Sequence, residues 1–204
     1  MIEPELDRVL DISFLWKMNH ESQPEYLGWT RPLIAGRRYV GTRLTMPLRE
    51  CGESLQRFLL EEGRRRLEAT VEWLQLRLTP ELTARGFAGH FGVDAMVCRQ
   101  PDGAFAIKPI VELNPRTTMG HVALEFKSKV APRAEAEFRV LNRADWQQLR
   151  DSYDSPPLAT TRDGRWKSGA IWLTEVTEET ILVPGIFMGS ETLDAVRQIT
   201  GRCP

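Results

Sequence analysis

The chain has 204 residues, 42% hydrophobic and 27% charged, with a formal net charge of -1. That is enough for one domain or two small ones, and the balanced charge gives no electrostatic footprint for nucleic acid or an acidic membrane surface. No apolar run approaches the length of a membrane span, the start MIEPELDRVL lacks the basic region and apolar core of a signal peptide, and three scattered cysteines (Cys51, Cys98, Cys203) fit reduced thiols in a cytoplasm.

Residues 1–10 carry alternating charge, after which Asp11 to Met18 reads as a strand, with Ile12, Phe14 and Trp16 alternating against Ser13, Leu15 and Lys17. Tyr26 to Arg31 and Arg37 to Leu44 read as the next two strands, turning at Ala35 and Gly36. Gly41 inside a strand points to a bulge or a close backbone approach. Arg31, Arg37, Arg38 and Arg43 are either contacts for an anionic substrate or solvated strand positions. A helix is predicted over Glu53 to Leu78 from the spacing of Leu55, Phe58, Leu59, Leu67, Val71, Leu74 and Leu78, with Gly63 as a candidate kink. The run Arg64 to Arg66, flanked by Glu61, Glu62, Glu68 and Glu72, reads as a solvated face with i,i+4 pairs. Thr79 and Pro80 then look like an N-cap and N1 pair opening a short helix that ends near Gly86.

The stretch GHFGVDAMVCRQPDGAFAIKPIVELNPRTTMGHVA, from Gly89 to Ala123, carries the chemistry. Phe91 to Cys98 and Phe105 to Asn114 read as a hairpin whose turn is built from Pro101, Asp102 and Gly103. Alternation puts Phe105, Ile107, Val111 and Leu113 on one face and Lys108, Glu112 and Asn114 on the other. Asp94 lies on the face opposite Val93, Ala95 and Val97, within reach of Glu112. Two carboxylates and an amide oxygen form an all-oxygen set that suits Mg²⁺ and not zinc. Arg116 follows at once and can neutralise charge on a transferring phosphoryl group. The alternative is a hairpin whose acids simply face water. A helix begins after Arg116, capped by Thr117 or Thr118, with His121 near its start.

Beyond Val130 a polar linker leads to a strand over Phe138 to Leu141 and a short helix over Ala144 to Ser152. A loop with Pro156 and Pro157 follows. Gly169 to Leu173 and Ile181 to Val183 read as a second hairpin, and Ser190 to Ile199 as a closing helix.

GVDAMV, a turn and IVELNPR together resemble the C-terminal half of the ATP-grasp ligases. The resemblance implies an α+β fold, a mostly antiparallel sheet flanked by helices, over residues 1–131, with 132–204 an extension packing on it. It implies that Asp94, Glu112 and Asn114 hold Mg²⁺ or Mn²⁺ on the phosphates of ATP. Arg116 would stabilise the transferring phosphoryl group or an acyl phosphate. Glu3 and Leu6 would sit near the adenine, and Asp11 at the ribose hydroxyls. An Arg followed by a Gly-His pair resembles the family's carboxylase acting on aminoimidazole ribonucleotide, which makes His121 a candidate substrate contact; a packed or solvent-facing histidine is the alternative. Biotin carboxylase has a catalytic Glu where this chain has Gly120, which argues against biotin carboxylation.

The implied activity is that of a cytoplasmic ATP-dependent carboxylate–amine or carboxylate–thiol ligase, with a small carboxylate as substrate and no nucleic-acid or membrane partner. The sequence holds no Gly-rich phosphate loop, and its one Lys-Pro pair, Lys108 with Pro109, sits in the metal-site strand. The chain is therefore expected to be a fragment of a longer enzyme, to have its missing half on another polypeptide, or to have lost activity, and the isolated chain is expected to be inactive. A non-catalytic nucleotide-binding or protein-interaction module is the competing reading.

Overall fold

The structure is a computed structural model that describes residues 6–36, 38–45, 51–59, 63–154 and 156–200. Its strands are β1 (Asp7–Met18), β2 (Pro24–Ala35), β3 (Arg38–Arg43), β4 (Gly89–Arg99), β5 (Phe105–Asn114), β6 (Ala136–Asn142), β7 (Ala159–Thr160), β8 (Trp166–Trp172) and β9 (Leu182–Met188). Its helices are α1 (Glu53–Arg57), α2 (Gly63–Ala84), α3 (Met119–Lys129), α4 (Arg143–Ser152) and α5 (Ser190–Thr200). The chain forms two compact units, Met1–Arg31 with Leu48–His121, and Pro32–Pro47 with Val122–Pro204. The units interleave along the chain.

In the first unit the strand order is β5-β4-β1-β2, and the pairs β1–β2, β1–β4 and β4–β5 are antiparallel. Leu10, Ile12, Phe14, Trp16 and Met18 alternate onto one face of β1 and are all buried. Ser13 and Leu15, on the opposite face, are buried too, so β1 is a central strand covered on both sides. Helix α2 packs Leu67, Leu74 and Leu82 into the same cluster as β1 and β4, with Val71 and Leu78 alongside. Their spacing of three and four residues is the helical stripe that the sequence predicts.

Of the expected helix over 53–78 the described residues form α1 and the greater part of α2, and residues 60–62 lie outside the described residues. Pro80 does not begin a new helix: it lies inside α2. A proline removes one amide bond and costs ~3 kcal/mol in a helix interior. Continuing the helix buries Leu82 and half-buries Leu78, and a fully buried leucine contributes about 1.5–3 kcal/mol. The carbonyl that Pro80 leaves without its partner belongs to Leu76, whose exposed position lets water satisfy it.

The hairpin forms as predicted, with Gln100 N donating to Ala104 O at 2.8 Å and Asp102 Oδ1 accepting from Ala104 N at 2.9 Å. Gly103 holds φ at 85°, a conformation that only glycine adopts freely. Strand β5 departs from simple alternation at one point. Asp94 pairs with Glu112 and Met96 with Lys108, so the three residues 109–111 stand opposite the single residue Ala95. In this bulge Ile110 turns to the core, and Val111 is left 54% exposed. The predicted apolar face of Phe105, Ile107, Val111 and Leu113 is thus corrected to Phe105, Ile107 and Ile110.

In the second unit the order runs from the end of β2 through β3-β6-β9-β8-β7. Phe138, Ile186, Met188, Leu44 and Ala123 form one core cluster; Leu141, Leu149, Phe187, Leu193 and Val196 form another beneath α4 and α5. Asn142 caps α4 by accepting from Asp145 N at 2.8 Å. The close approach expected at Gly41 is present: a Cβ there would overlap the Phe138 carbonyl. Arg31 and Arg43 are buried and not solvated, while Arg37 lies outside the described residues. Arg43, Arg139 and Arg197 surround Glu137, with Arg139 at 2.7 Å and Arg197 at 2.6 Å. Burial pushes the Glu137 carboxyl up, and the three guanidinium groups more than offset this, holding it below its ordinary range.

Candidate functional site

The site lies in the first unit and is built on the polar face of the β1–β4–β5 ribbon. Strand register places Ser13 opposite Asp94 and Asp94 opposite Glu112. Directly opposed antiparallel residues have Cβ atoms about 5 Å apart, so the two carboxylates are neighbours. The even number of extra residues in the bulge preserves the parity of β5 beyond it, which is why Glu112 and Asn114 return to the face of Asp94.

A hydrogen-bonded row crosses this face. Ser13 Oγ donates to Asp94 Oδ1 at 2.5 Å. Asn114 Nδ2 donates to Asp94 Oδ2 at 3.0 Å, and Arg116 Nη2 donates to Asn114 Oδ1 at 3.1 Å. Asn114 is buried, whereas Glu112 and Arg116 are exposed. The Asp94 carboxyl is raised above its ordinary range, first by burial and then by the Glu112 and Asp11 charges; Ser13 and Asn114 pull the other way. Asp94 accepts two neutral donors here, and a carboxylate has about four acceptor positions, so oxygen lone pairs remain for a cation. Among the described residues no group of three or more His, Cys, Asp or Glu side chains is placed to hold a metal. The set here is two carboxylates and an amide oxygen, few ligands and all of them hard. Mg²⁺ is commonly held in this way, keeping water and phosphate as its other ligands.

Asp11 lies on the same strand face, two residues from Ser13. Burial raises its carboxyl, while Arg8, 3.6 Å away, and Arg31 oppose the shift. Leu6 is half-buried just before β1, and Glu3 lies outside the described residues.

His121 is 6% exposed at the start of α3. Its Nδ1 accepts from Thr118 N at 3.1 Å, and its Nε2 meets Trp16 O at 3.3 Å. With Thr118 as the cap residue, His121 occupies the third helical position and reaches back to the cap amide, the role that Glu or Gln fills in a capping box. This fixes the neutral tautomer with Nε2–H donating to the Trp16 carbonyl. Burial, foremost, and the neighbouring His90 ring, 4.9 Å away, hold its pKa below the ordinary value. The helix start approaches the sheet closely because two positions lack side chains. A Cβ at Gly120 would lie 3.0 Å from Leu15 Cδ1 and 3.1 Å from Thr30 Oγ1; one at Gly92 would lie 3.2 Å from Leu15 Cδ2. A side chain at position 120 would therefore require Leu15 or Thr30 to shift.

The structure thus brings Asp94, Glu112, Asn114 and Arg116 together, sets Asp11 on the same face, and gives His121 internal partners on both ring nitrogens. Ser13 is the member that sequence reasoning passed over. Its signal was available: a small hydroxyl on the polar side of an otherwise apolar strand. The capping role of His121 was also missed, because a histidine in third position is not the usual signature.

The chain has the α+β fold of the C-terminal half of the ATP-grasp ligases. It is similar to the biotin carboxylase–βγ-ATP complex of Campylobacter jejuni, at TM-score 0.50 and 9% identity, covering 92% of this chain and 43% of that one. Similar too are N5-carboxyaminoimidazole ribonucleotide synthetase of Thermus thermophilus (TM-score 0.49, 13% identity, 99% of this chain and 53% of that one) and the N5-carboxyaminoimidazole synthetase of Staphylococcus aureus complexed with ADP (TM-score 0.47, 10% identity, 97% and 50%). The chain spans about half the length of these solved structures. No protein-family model matches the sequence, and no curated protein matches it. No described helix is long and apolar enough to cross a membrane.

Proposed function

We propose that this chain is the metal- and nucleotide-binding half of an ATP-grasp ligase that activates a small carboxylate for attack by an amine or thiol. The observation that carries the reading is the row Ser13–Asp94–Asn114–Arg116 with Glu112 directly across from Asp94. Asp94, Glu112 and Asn114 would hold Mg²⁺ or Mn²⁺; bound there, the ion would neutralise charge on the ATP phosphates. Ser13 fixes the rotamer of Asp94, and Asn114 ties that carboxylate to Arg116. Arg116, exposed at the end of β5, offers its guanidinium to a phosphoryl group or an acyl phosphate. Asp11 would accept ribose hydroxyls, and Leu6 would line the adenine. His121 sets the start of α3, and through it the substrate side of the site.

Thermal denaturation of the full chain with ATP, titrated with MgCl₂, tests this. A metal-dependent rise in Tm is expected for the wild-type chain and its absence for Glu112→Ala. Glu112 is exposed, so its loss leaves the fold intact. Equal metal-dependent shifts in the two proteins would remove the metal role.

A further inference from the structure

A second cavity lies in the other unit, apart from every residue placed in the nucleotide reading. It has a volume of about 210 Å³ and is lined by residues of α4, β8, β9 and α5 together with Tyr153 and Asp154. Its floor is apolar: Leu149, Phe187 and Ala170. One wall is the Trp172 ring, set edge-on to Phe187 at 5.3 Å and to Trp146 at 6.4 Å, with 37% of the residue exposed. The lining also includes a hydroxyl pair, Tyr153 Oη and Thr192 Oγ1, 3.1 Å apart. At the mouth are one cation and one anion, Arg150 and Asp154.

Three features narrow what fits. An apolar cavity of ~150 Å³ accepts a benzene ring. The volume here allows one ring with a small substituent, and it is too small for a nucleotide. Phe187 and Trp172, fixed at right angles, favour a flat ring over an aliphatic one, since aromatic partners gain beyond their buried area. The Arg150 guanidinium lies 4.8 Å over the Trp146 ring, with its Nε and Nη2 both 3.2 Å from Asp151 Oδ1. A guanidinium has five N–H donors, so it retains others for a carboxylate.

We infer that this cavity is a binding site for a small planar aromatic monocarboxylate, with the ring on Trp172 and the carboxylate at Arg150. The inference does not depend on the ATP-grasp reading. Benzoate is the probe, followed on the full chain by saturation-transfer NMR and by quenching of tryptophan fluorescence. Saturable binding at about millimolar concentration is expected for so small a ligand. Benzamide and cyclohexanecarboxylate should bind at least fivefold more weakly, and benzylamine more weakly still. Arg150→Gln should weaken benzoate at least fivefold while leaving benzamide unchanged. Ala170→Leu, which fills the cavity from its floor, should abolish both, with the thermal transition retained as the check on folding. Absence of saturable benzoate binding to the wild-type chain, equal binding of benzoate and benzylamine, or unchanged binding in Ala170→Leu would each overturn the assignment.

Discussion

Asp94 is a carboxylate whose ionisation the fold opposes. Burial and the two neighbouring acids raise its pKa, and Ser13 and Asn114 answer only in part. A group with a raised folded pKa contributes most to stability below its unfolded pKa, and that contribution is lost as pH rises through the folded value. At neutral pH Asp94 is therefore a strain on the folded state, and a cation on its free lone pairs would relieve it. Asp94→Asn should accordingly raise Tm in metal-free buffer at pH 7, because the amide carries no charge and keeps an acceptor for Ser13, which outweighs the acceptor that Asn114 Nδ2 loses. The same variant should lose the further rise that MgCl₂ with ATP gives the wild-type chain. Denaturation scans with and without metal check both halves; a variant less stable than wild type in EDTA would show that the carboxylate is no burden.

At the scale of the element, α3 shows how a site is positioned by its caps. His121 accepts from the Thr118 amide only while neutral, and its pKa is depressed by burial and by His90. Stability from such a group is fully present above the unfolded pKa, ~6.5, and is lost as pH falls through the lower folded value. His121→Gln keeps an acceptor for the cap amide but cannot titrate. It should be less stable than wild type by about 1 kcal/mol at pH 7, for the lost bond to Trp16 O, with the gap closing toward pH 5. Parallel Tm-versus-pH curves would contradict this. The same scale shows what the sequence could not reveal. Strand and helix periods located nearly every element, and in β4 and β5 alternation put Asp94, Glu112 and Asn114 on one face. Alternation alone misplaced Val111, because a bulge is set by pairing with β4, which no local period records. Pro80 read as a helix start for a similar reason: whether Leu82 is buried depends on a strand far away in sequence. His121 was legible as a residue near the motif, but not as a cap, since its partner Trp16 O is 105 residues distant.

At the scale of the whole chain, the proposed ligands of metal and nucleotide (Asp11, Asp94, Glu112, Asn114 and Arg116) all belong to the first unit. The only lysines in that unit are Lys17 and Lys108. Lys17 is exposed near the end of β1, and Lys108 lies across from Met96 in the hairpin. Phosphoryl transfer relies on cations that clamp the phosphates and on a site closed to water. One face with the proposed metal ligands and Arg116 would meet the binding requirement and not the clamping one. The chain by itself is therefore expected to take up Mg-ATP, seen as a metal-dependent thermal shift, without releasing phosphate above the buffer rate. A colorimetric phosphate assay on the purified chain, with a carboxylate mixture present, measures this. Turnover at or above ~1 s⁻¹, the lower end for phosphoryl-transfer enzymes such as kinases, would mean that the first unit's own residues complete the clamp. Lys17→Ala and Lys108→Ala would then be the variants in which that turnover should fall.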